Sequence, residues 1–233
     1  MRMRYLESVL IESDVYAVGD YIIKRWQFND FAENTYVVTG KEACLIIDPG
    51  CYHDDEKSAV YAYVHAQNRQ LVRLLNTHAH LDHVFGNAWV ADTFQLAPCL
   101  HEKETIMYTH QNDWARSRGY AMDALPTPGY YWRHERHRFT FDNDDWYALW
   151  TPGHSPGHVC YYVPSCHMLF TGDVLFWQGV GRTDLPLGDA KAMKKSLQMV
   201  CQLPSNTSIY PGHGAPSVLA EELRDNPFLQ THA

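Results

Sequence analysis

Three histidines and one aspartate lie within a run of six residues, directly after a short apolar segment with the composition of a strand. The segment is residues 71–75, and the side chains that follow it are His78, His80, Asp82 and His83. His78 and His80 point to the same side of an extended chain, because side chains alternate along it. Neutral imidazoles combined with a carboxylate suit zinc or iron. The pattern therefore predicts a metal site where a strand ends and a helix begins.

The rest of the sequence predicts strands in two clusters, with helices between and after them. Strand-like runs occupy residues 35–38, 44–47, 71–75, 138–141, 146–150, 159–163, 168–171 and 208–210. Helical spacing of apolar residues is found over 55–67, 82–94 and 190–200, with Asp189 at the N-cap position of the last helix. We expect one domain over residues 1–233, with a helical or irregular excursion at about 101–138. Periodicity alone leaves the α/β and α+β classes both open.

Charge and cysteine content argue against several classes of protein. The chain has 19 Lys and Arg against 27 Asp and Glu, a formal net charge of −8, so we expect no nucleic-acid partner. Its six cysteines include no Cys-x-x-Cys pair, which favours free thiols in a reducing compartment. Residues 1–16 lack the apolar run of a signal peptide, and no stretch has the roughly 20 apolar residues of a membrane helix. We therefore expect a cytoplasmic protein with no membrane partner.

Four motifs together resemble the metallo-β-lactamase superfamily. The first is the His-x-His-x-Asp-His run at 78–83. It is followed, in the order found in that family, by Thr-Pro-Gly-His-Ser-Pro-Gly-His at 151–158, Phe-Thr-Gly-Asp at 170–173 and Tyr-Pro-Gly-His-Gly at 210–214. The resemblance extends from about residue 34 to the end of the sequence. It implies an α/β fold of the αββα type, in which two β-sheets are flanked by helices.

The resemblance also implies a centre of two divalent metal ions, with zinc expected and iron or manganese also compatible. One group of three ligands would bind each metal, and one aspartate would bridge them. The implied ligands are His78, His80 and His154 for one metal, Asp82, His83 and His213 for the other, and Asp173 as the bridge. Asp82 would also be catalytic, because it could orient the hydroxide that the two metals share.

Three further residues are candidates for supporting the site. His158 ends the second motif, and the family pattern selects the other histidine of that motif as the ligand. Asp48, at the end of a predicted strand, could accept a hydrogen bond from a ligating imidazole or could simply be a turn residue. Arg182 could bind a substrate carboxylate through its planar guanidinium group, or could pair with Asp184 or Asp189 to shape its loop.

Within the superfamily, the bridging aspartate and the Gly-Arg-Thr-Asp segment at 181–184 resemble the short bacterial glyoxalase II-like hydrolases. This implies hydrolysis of a small-molecule thioester such as S-lactoylglutathione by a metal-bound hydroxide. The sequence ends soon after the last motif, so we expect no counterpart of the C-terminal helical domain of full-length glyoxalase II. It also lacks the Lys/Tyr segment that binds glutathione there, which leaves the identity of the thiol carrier open.

The alternative is a persulfide dioxygenase on the same fold, with a single iron bound by His78, His154 and Asp173. An RNA-processing nuclease of the fold is disfavoured, because the chain is short and acidic. A metal-binding module without catalysis is disfavoured by the complete ligand set. Metal content distinguishes the two main hypotheses. A thioester hydrolase would contain two metals and cleave thioesters, whereas a persulfide dioxygenase would contain one iron and consume oxygen.

Overall fold

The computed structural model describes residues 11–230, and its first sheet contains seven strands that lie side by side in chain order. These strands are β1 (Ser13–Val18), β2 (Tyr21–Phe28), β3 (Glu33–Thr39), β4 (Ala43–Ile47), β5 (Gln70–Leu75), β6 (Pro98–His101) and β7 (Tyr130–Trp132). Neighbours from β1 to β4 are antiparallel, whereas β4, β5, β6 and β7 are parallel. The carboxyl ends of β4 and β5 therefore lie at the same edge of the sheet.

The second sheet has six strands, which are β8 (Arg136–Phe141), β9 (Asp144–Trp150), β10 (Val159–Val163), β11 (Met168–Gly172), β14 (Ser208–Pro211) and β15 (Ser217–Val218). They lie side by side in the order β15-β14-β11-β10-β9-β8. A separate hairpin pairs β12 (Leu175–Phe176) with β13 (Gly179–Val180). Within the six-stranded sheet β11 and β14 are parallel, so their carboxyl ends also share one edge.

The helices lie between and after these strands. They are α1 (Asp54–Ala66), α2 (Leu81–Val84), α3 (Asn87–Phe94), α4 (Thr105–Ser117), α5 (Ala190–Val200), α6 (Leu219–Asp225) and α7 (Pro227–Gln230). The predicted N-cap of α5 is confirmed, because the Asp189 side chain accepts hydrogen bonds from the backbone N–H groups of Lys191 and Ala192.

Apolar side chains fill three layers. Leu45 and Leu75 of the first sheet pack against Tyr161 and Phe170 of the second, which forms the core between the sheets. The outer face of the first sheet is covered by α1 and α3, and that of the second sheet by α5. The predicted αββα arrangement is therefore confirmed.

The structure differs from the predicted elements in several places. The helix predicted over 82–94 is split into α2 and α3 around Gly86, which lies so close to the loop before α1 that an added Cβ would be 2.4 Å from Cys51 Sγ. The unpredicted elements are the long strands β1 and β2, the short strands β6, β7, β12, β13 and β15, and the helices α6 and α7. In β2 the pattern is obscured by Arg25, a cation that is only 4% exposed in the folded chain.

Residues 101–138 contain α4, an irregular stretch and β7. All six cysteines are free thiols. No helix within residues 11–230 has the length and apolar character needed to cross a membrane. The interpretation of residues 1–16 as lacking a signal peptide falls partly on residues 1–10, which lie outside the described residues.

Candidate metal centre

The four motifs meet at one edge of the two sheets. The loop after β5 and the short helix α2 carry the first motif, and the loop between β9 and β10 carries the second. The third and fourth motifs begin in the last residues of the parallel strands β11 and β14 and end just beyond them. Strand ends from both sheets therefore deliver imidazoles and carboxylates to the same place.

One cluster consists of His78, His80 and His154, each of which offers a ring nitrogen within 4.8 Å of the others. His78 Nε2 and His80 Nδ1 face each other at 3.0 Å. The His80 and His154 rings meet edge to face with their centroids 4.4 Å apart. These are the three residues that the family resemblance implies as ligands of one metal.

The second cluster consists of Asp82, His83 and His213. Asp82 Oδ2 lies 3.2 Å from His213 Nε2 and 3.5 Å from His83 Nε2. These are the residues that the sequence assigns to the other metal.

Asp173 lies between the two clusters. Its Oδ2 is 3.3 Å from His154 Nε2 and 3.6 Å from His213 Nε2, and its Oδ1 is 3.5 Å from His83 Nε2. One carboxylate thus faces ring nitrogens of both clusters, as the predicted bridging role requires.

The donor atoms are arranged as a metal would require. Within residues 11–230, His83 Nε2, His154 Nε2 and Asp173 Oδ1 are buried without a hydrogen-bond partner. Leaving such atoms unpaired costs about 1–3 kcal/mol each, which bound cations would offset. Ligand atoms around a tetrahedral zinc ion are roughly 3.3 Å apart, and the separations between the atoms of these clusters are close to that value. The residues present therefore fit a pair of metal ions.

Asp48 connects two of the histidines through hydrogen bonds. Its Oδ2 lies 3.1 Å from His83 Nδ1 and accepts a hydrogen bond from Thr77 Oγ1 at 2.6 Å, and Thr77 Oγ1 lies 3.0 Å from His78 Nδ1. Hydrogen bonds donated by Nδ1–H fix the ring orientation and leave Nε2 free to bind a metal. Of the two interpretations of Asp48, this geometry favours the acceptor role.

His158 does not point a free nitrogen at either cluster. Its Nε2 accepts the backbone N–H of Asp173 at 3.0 Å, and its Nδ1 lies 3.0 Å from Thr151 Oγ1. His154, in contrast, has its Nδ1 2.8 Å from the Arg182 carbonyl oxygen, so its Nε2 is directed at Asp173. The two histidines of this motif therefore have different surroundings, and the assignment of His154 as the ligand stays a prediction from the family resemblance.

The surroundings of the first cluster keep its histidines neutral, which is the form that binds a cation. Burial, assisted by the neighbouring imidazoles, lowers the pKa of His78 well below its usual value, and burial with the nearby His154 lowers the pKa of His80 to about 3. These rings are therefore neutral near pH 7, the form that binds metal. In the second cluster burial opposes ionisation of Asp82, but His83 and His213 outweigh it and lower the pKa of the carboxyl.

The sequence did not point to Glu104, which joins the two ligand-bearing loops. This fully buried carboxylate accepts hydrogen bonds from Ala79 N–H at 2.9 Å, Ser155 Oγ at 2.9 Å and Gly157 N–H at 2.7 Å. Burial outweighs these bonds and raises the pKa of Glu104 to about 7. In sequence Glu104 sits in a charged run with nothing to mark it, because its partners are as many as 53 positions away.

A cavity of about 570 Å³ opens onto both clusters, and α4 and the segment from Val180 to Pro186 line its sides. Arg182 lies on this wall, where its guanidinium donates to both carboxylate oxygens of Asp184 at 2.7 and 2.8 Å. This is one of the two loop-shaping pairs that the sequence suggested for Arg182.

The sequence of residues 28–213 matches the family model that describes the metallo-beta-lactamase superfamily. The chain is 31% identical to the probable metallo-hydrolase YqgX of Bacillus subtilis, over 88% of this chain and 96% of that protein. It is 30% identical to the hydroxyacylglutathione hydrolase GloC of Haemophilus influenzae, over 86% of this chain and 94% of that protein. Among solved structures, TTHA1623 in a di-iron-bound form superposes with a TM-score of 0.77 at 37% identity, covering 86% of this chain and 97% of that one.

Proposed function

The chain belongs to the metallo-β-lactamase superfamily, and we propose that this metal-dependent hydrolase cleaves a small-molecule thioester at a two-metal centre. The observation that carries the proposal is Asp173, whose two carboxylate oxygens face unpaired ring nitrogens in both clusters. Some persulfide dioxygenases of this fold keep the same seven residues and use a single iron, so the metal content per chain distinguishes the two functions.

In this proposal the seven residues named from the sequence hold the metals, with zinc as the expected ion. When bound, the pair supplies a nucleophilic hydroxide near neutral pH and polarises the carbonyl of the substrate. Asp82 faces the cavity as well as His83 and His213, so we assign it the additional role of orienting the nucleophile. Iron is the alternative ion, since the similar TTHA1623 binds two irons.

The composition of the cavity favours a thioester over an ester or an amide. Among the described residues that line it, the titratable groups outside the clusters are Arg118 and Arg182, and arginine does not release a proton near neutral pH. Outside the two clusters, the cavity therefore offers no side chain that could protonate a poor leaving group. A thiolate leaves without a proton, which fits this lining, and the similarity to GloC points in the same direction.

The substrate is expected to be a small molecule rather than a nucleic acid or a membrane lipid, since the chain is acidic. We also propose a cytoplasmic location. The six free cysteines are consistent with a reducing compartment.

The test is metal content per chain, measured on protein purified without added metal, together with hydrolysis of S-lactoylglutathione. We expect two metals and turnover in the wild type, and loss of both in Asp173→Ala. The matched control is His134→Ala, which removes an exposed histidine outside the clusters and should change neither value. One iron per chain with oxygen consumption and no thioester cleavage would overturn the proposal in favour of a persulfide dioxygenase.

A further inference from the structure

One face of α4 forms a continuous stripe along the cavity. Met107, Gln111 and Trp114 of α4 line it, and Arg118, the C-cap residue directly after the helix, continues it, at spacings of four, three and four residues. Such spacings place side chains on the same side of a helix. The stripe spans roughly 16 Å, given a rise of about 1.5 Å per residue. Exposure increases along it from the buried Met107 to the exposed Arg118, so the stripe leads from the interior of the cavity to its mouth.

Gln111 presents an unpaired polar atom on this stripe. The residue is fully buried, and within residues 11–230 its Oε1 has no hydrogen-bond partner. Its Nε2 donates to the carbonyl oxygen of Met107 in the same helix at 3.2 Å, which leaves the oxygen as the free end of the amide. A buried acceptor without a donor is costly, so a bound molecule with an N–H group would be favoured here.

Arg118 is the cation at the outer end of the stripe. In the described part of the chain it forms no ion pair, whereas Arg182, which also lines the cavity, is neutralised by Asp184. An unpaired guanidinium at the mouth of a cavity attracts and orients carboxylates, which it can bind through two N–H groups.

We propose that Gln111 and Arg118 form the subsite for the thiol half of the substrate, in which Gln111 Oε1 accepts an amide N–H and Arg118 binds a terminal carboxylate. The inference rests on the proposed thioesterase function and deepens it. It assigns to α4, a helix outside the four motifs, the selection of a thiol that carries an amide and ends in an anion.

The experiment uses two lactoyl thioesters that differ only in charge. In one, the lactoyl group is joined to the sulfur of N-(2-mercaptoethyl)succinamic acid. In the other, it is joined to the sulfur of N-(2-mercaptoethyl)succinamide. Each has the same amide and nearly the same shape, but only the first ends in a carboxylate. For the wild type we expect kcat/KM to be about ten-fold higher for the acid, mainly through KM, and the preference to shrink in high salt because the contact lies at an exposed site.

The Arg118 variants test the cation directly. Arg118→Ala should abolish the preference for the acid by lowering kcat/KM for the acid about ten-fold, and Arg118→Lys should retain part of the preference. The matched control is Arg116→Ala, an exposed arginine of the same helix that pairs with Asp113 and does not line this cavity. This variant should keep the full preference.

Gln111→Met tests the buried acceptor, because methionine has a similar volume and no amide. It should raise KM for both probes about ten-fold. For a third probe, in which an ester oxygen replaces the amide N–H, the variant and the wild type should have the same KM. A purely structural role for Gln111 would raise KM for all three probes alike.

Binding of the matching thioethers, which cannot be hydrolysed, tests the subsite independently of the thioesterase function. If wild-type protein binds the acid thioether more tightly than the amide and Arg118→Ala does not, the subsite is supported even if neither thioester turns over, and only the thioesterase function fails. If both thioesters turn over equally well and Arg118→Ala changes nothing, the subsite is refuted while the thioesterase function stands.

Discussion

Replacing Glu104 should weaken both the fold and the metal centre, although this residue binds no metal. Glu104→Ala leaves three buried donors, on Ala79, Ser155 and Gly157, without an acceptor. Each costs about 1–3 kcal/mol when unpaired. We expect a net loss near the lower end of that sum, about 3 kcal/mol, because the burial penalty of the carboxylate disappears with it.

Glu104→Gln separates the two effects. With its oxygen in the position of Oε2 it still accepts from Ser155 and Gly157, but its NH₂ group then meets the N–H of Ala79. The stability loss should be smaller, about 1–2 kcal/mol. Since Ala79 lies between His78 and His80, metal should be lost selectively from the cluster formed by these two residues and His154.

The assays are urea unfolding of the metal-free protein and competition between protein and chelator for metal. The matched control is Glu102→Ala, which removes an exposed carboxylate two residues away whose partner is the exposed Arg133. The reasoning is refuted if either Glu104 variant holds two metals as tightly as the wild type, or if Glu104→Ala unfolds at the same urea concentration as Glu102→Ala.

Other perturbations probe the centre and its surroundings. His78→Ala and Asp173→Ala should each abolish activity and lower the melting temperature to that of metal-free wild type, since bound metal stabilises only the folded chain; activity in either variant would contradict the mechanism. Asp48→Ala should weaken metal binding about 10- to 100-fold, as seen when the hydrogen-bond partner of a ligating histidine is removed, and an unchanged affinity in chelator competition would argue for a mere turn residue. Burial lowers the pKa of His101 to about 4, so its contribution to stability is complete above about pH 6.5 and is lost as the pH falls towards 4. Unfolding of wild type and His101→Phe at several pH values should therefore give a stability difference that shrinks over this range, and a constant difference would refute the assignment.

The residues that the sequence identified are those whose signal is local. His78, His80, Asp82 and His83 form one short run after β5, so residue type and spacing alone mark them. Glu104 has no such signal, because its importance arises only when distant loops fold onto it.

The first two strands were missed for a related reason. Alternation in β2 is interrupted by Arg25, which a local reading places on the surface. In the structure it is buried and bound to Asp14 of β1 and to the Gly214 carbonyl oxygen, 189 positions away. A buried cation with such remote partners cannot be distinguished from an exposed one by periodicity.

The last motif is positioned by the opposite sheet, which ties the metal centre to the packing of the whole fold. Asn34 of β3 donates its backbone N–H to the Gly212 carbonyl oxygen at 2.7 Å and its side-chain amide to that of Pro211 at 2.9 Å. Tyr36 Oη donates to the same Pro211 oxygen at 2.7 Å. His213 therefore reaches its cluster only when the two sheets are packed together, while His83 comes from the first half of the chain. Metals that bind across this junction would stabilise the packing of one sheet on the other, because the donors they need converge only in the folded state.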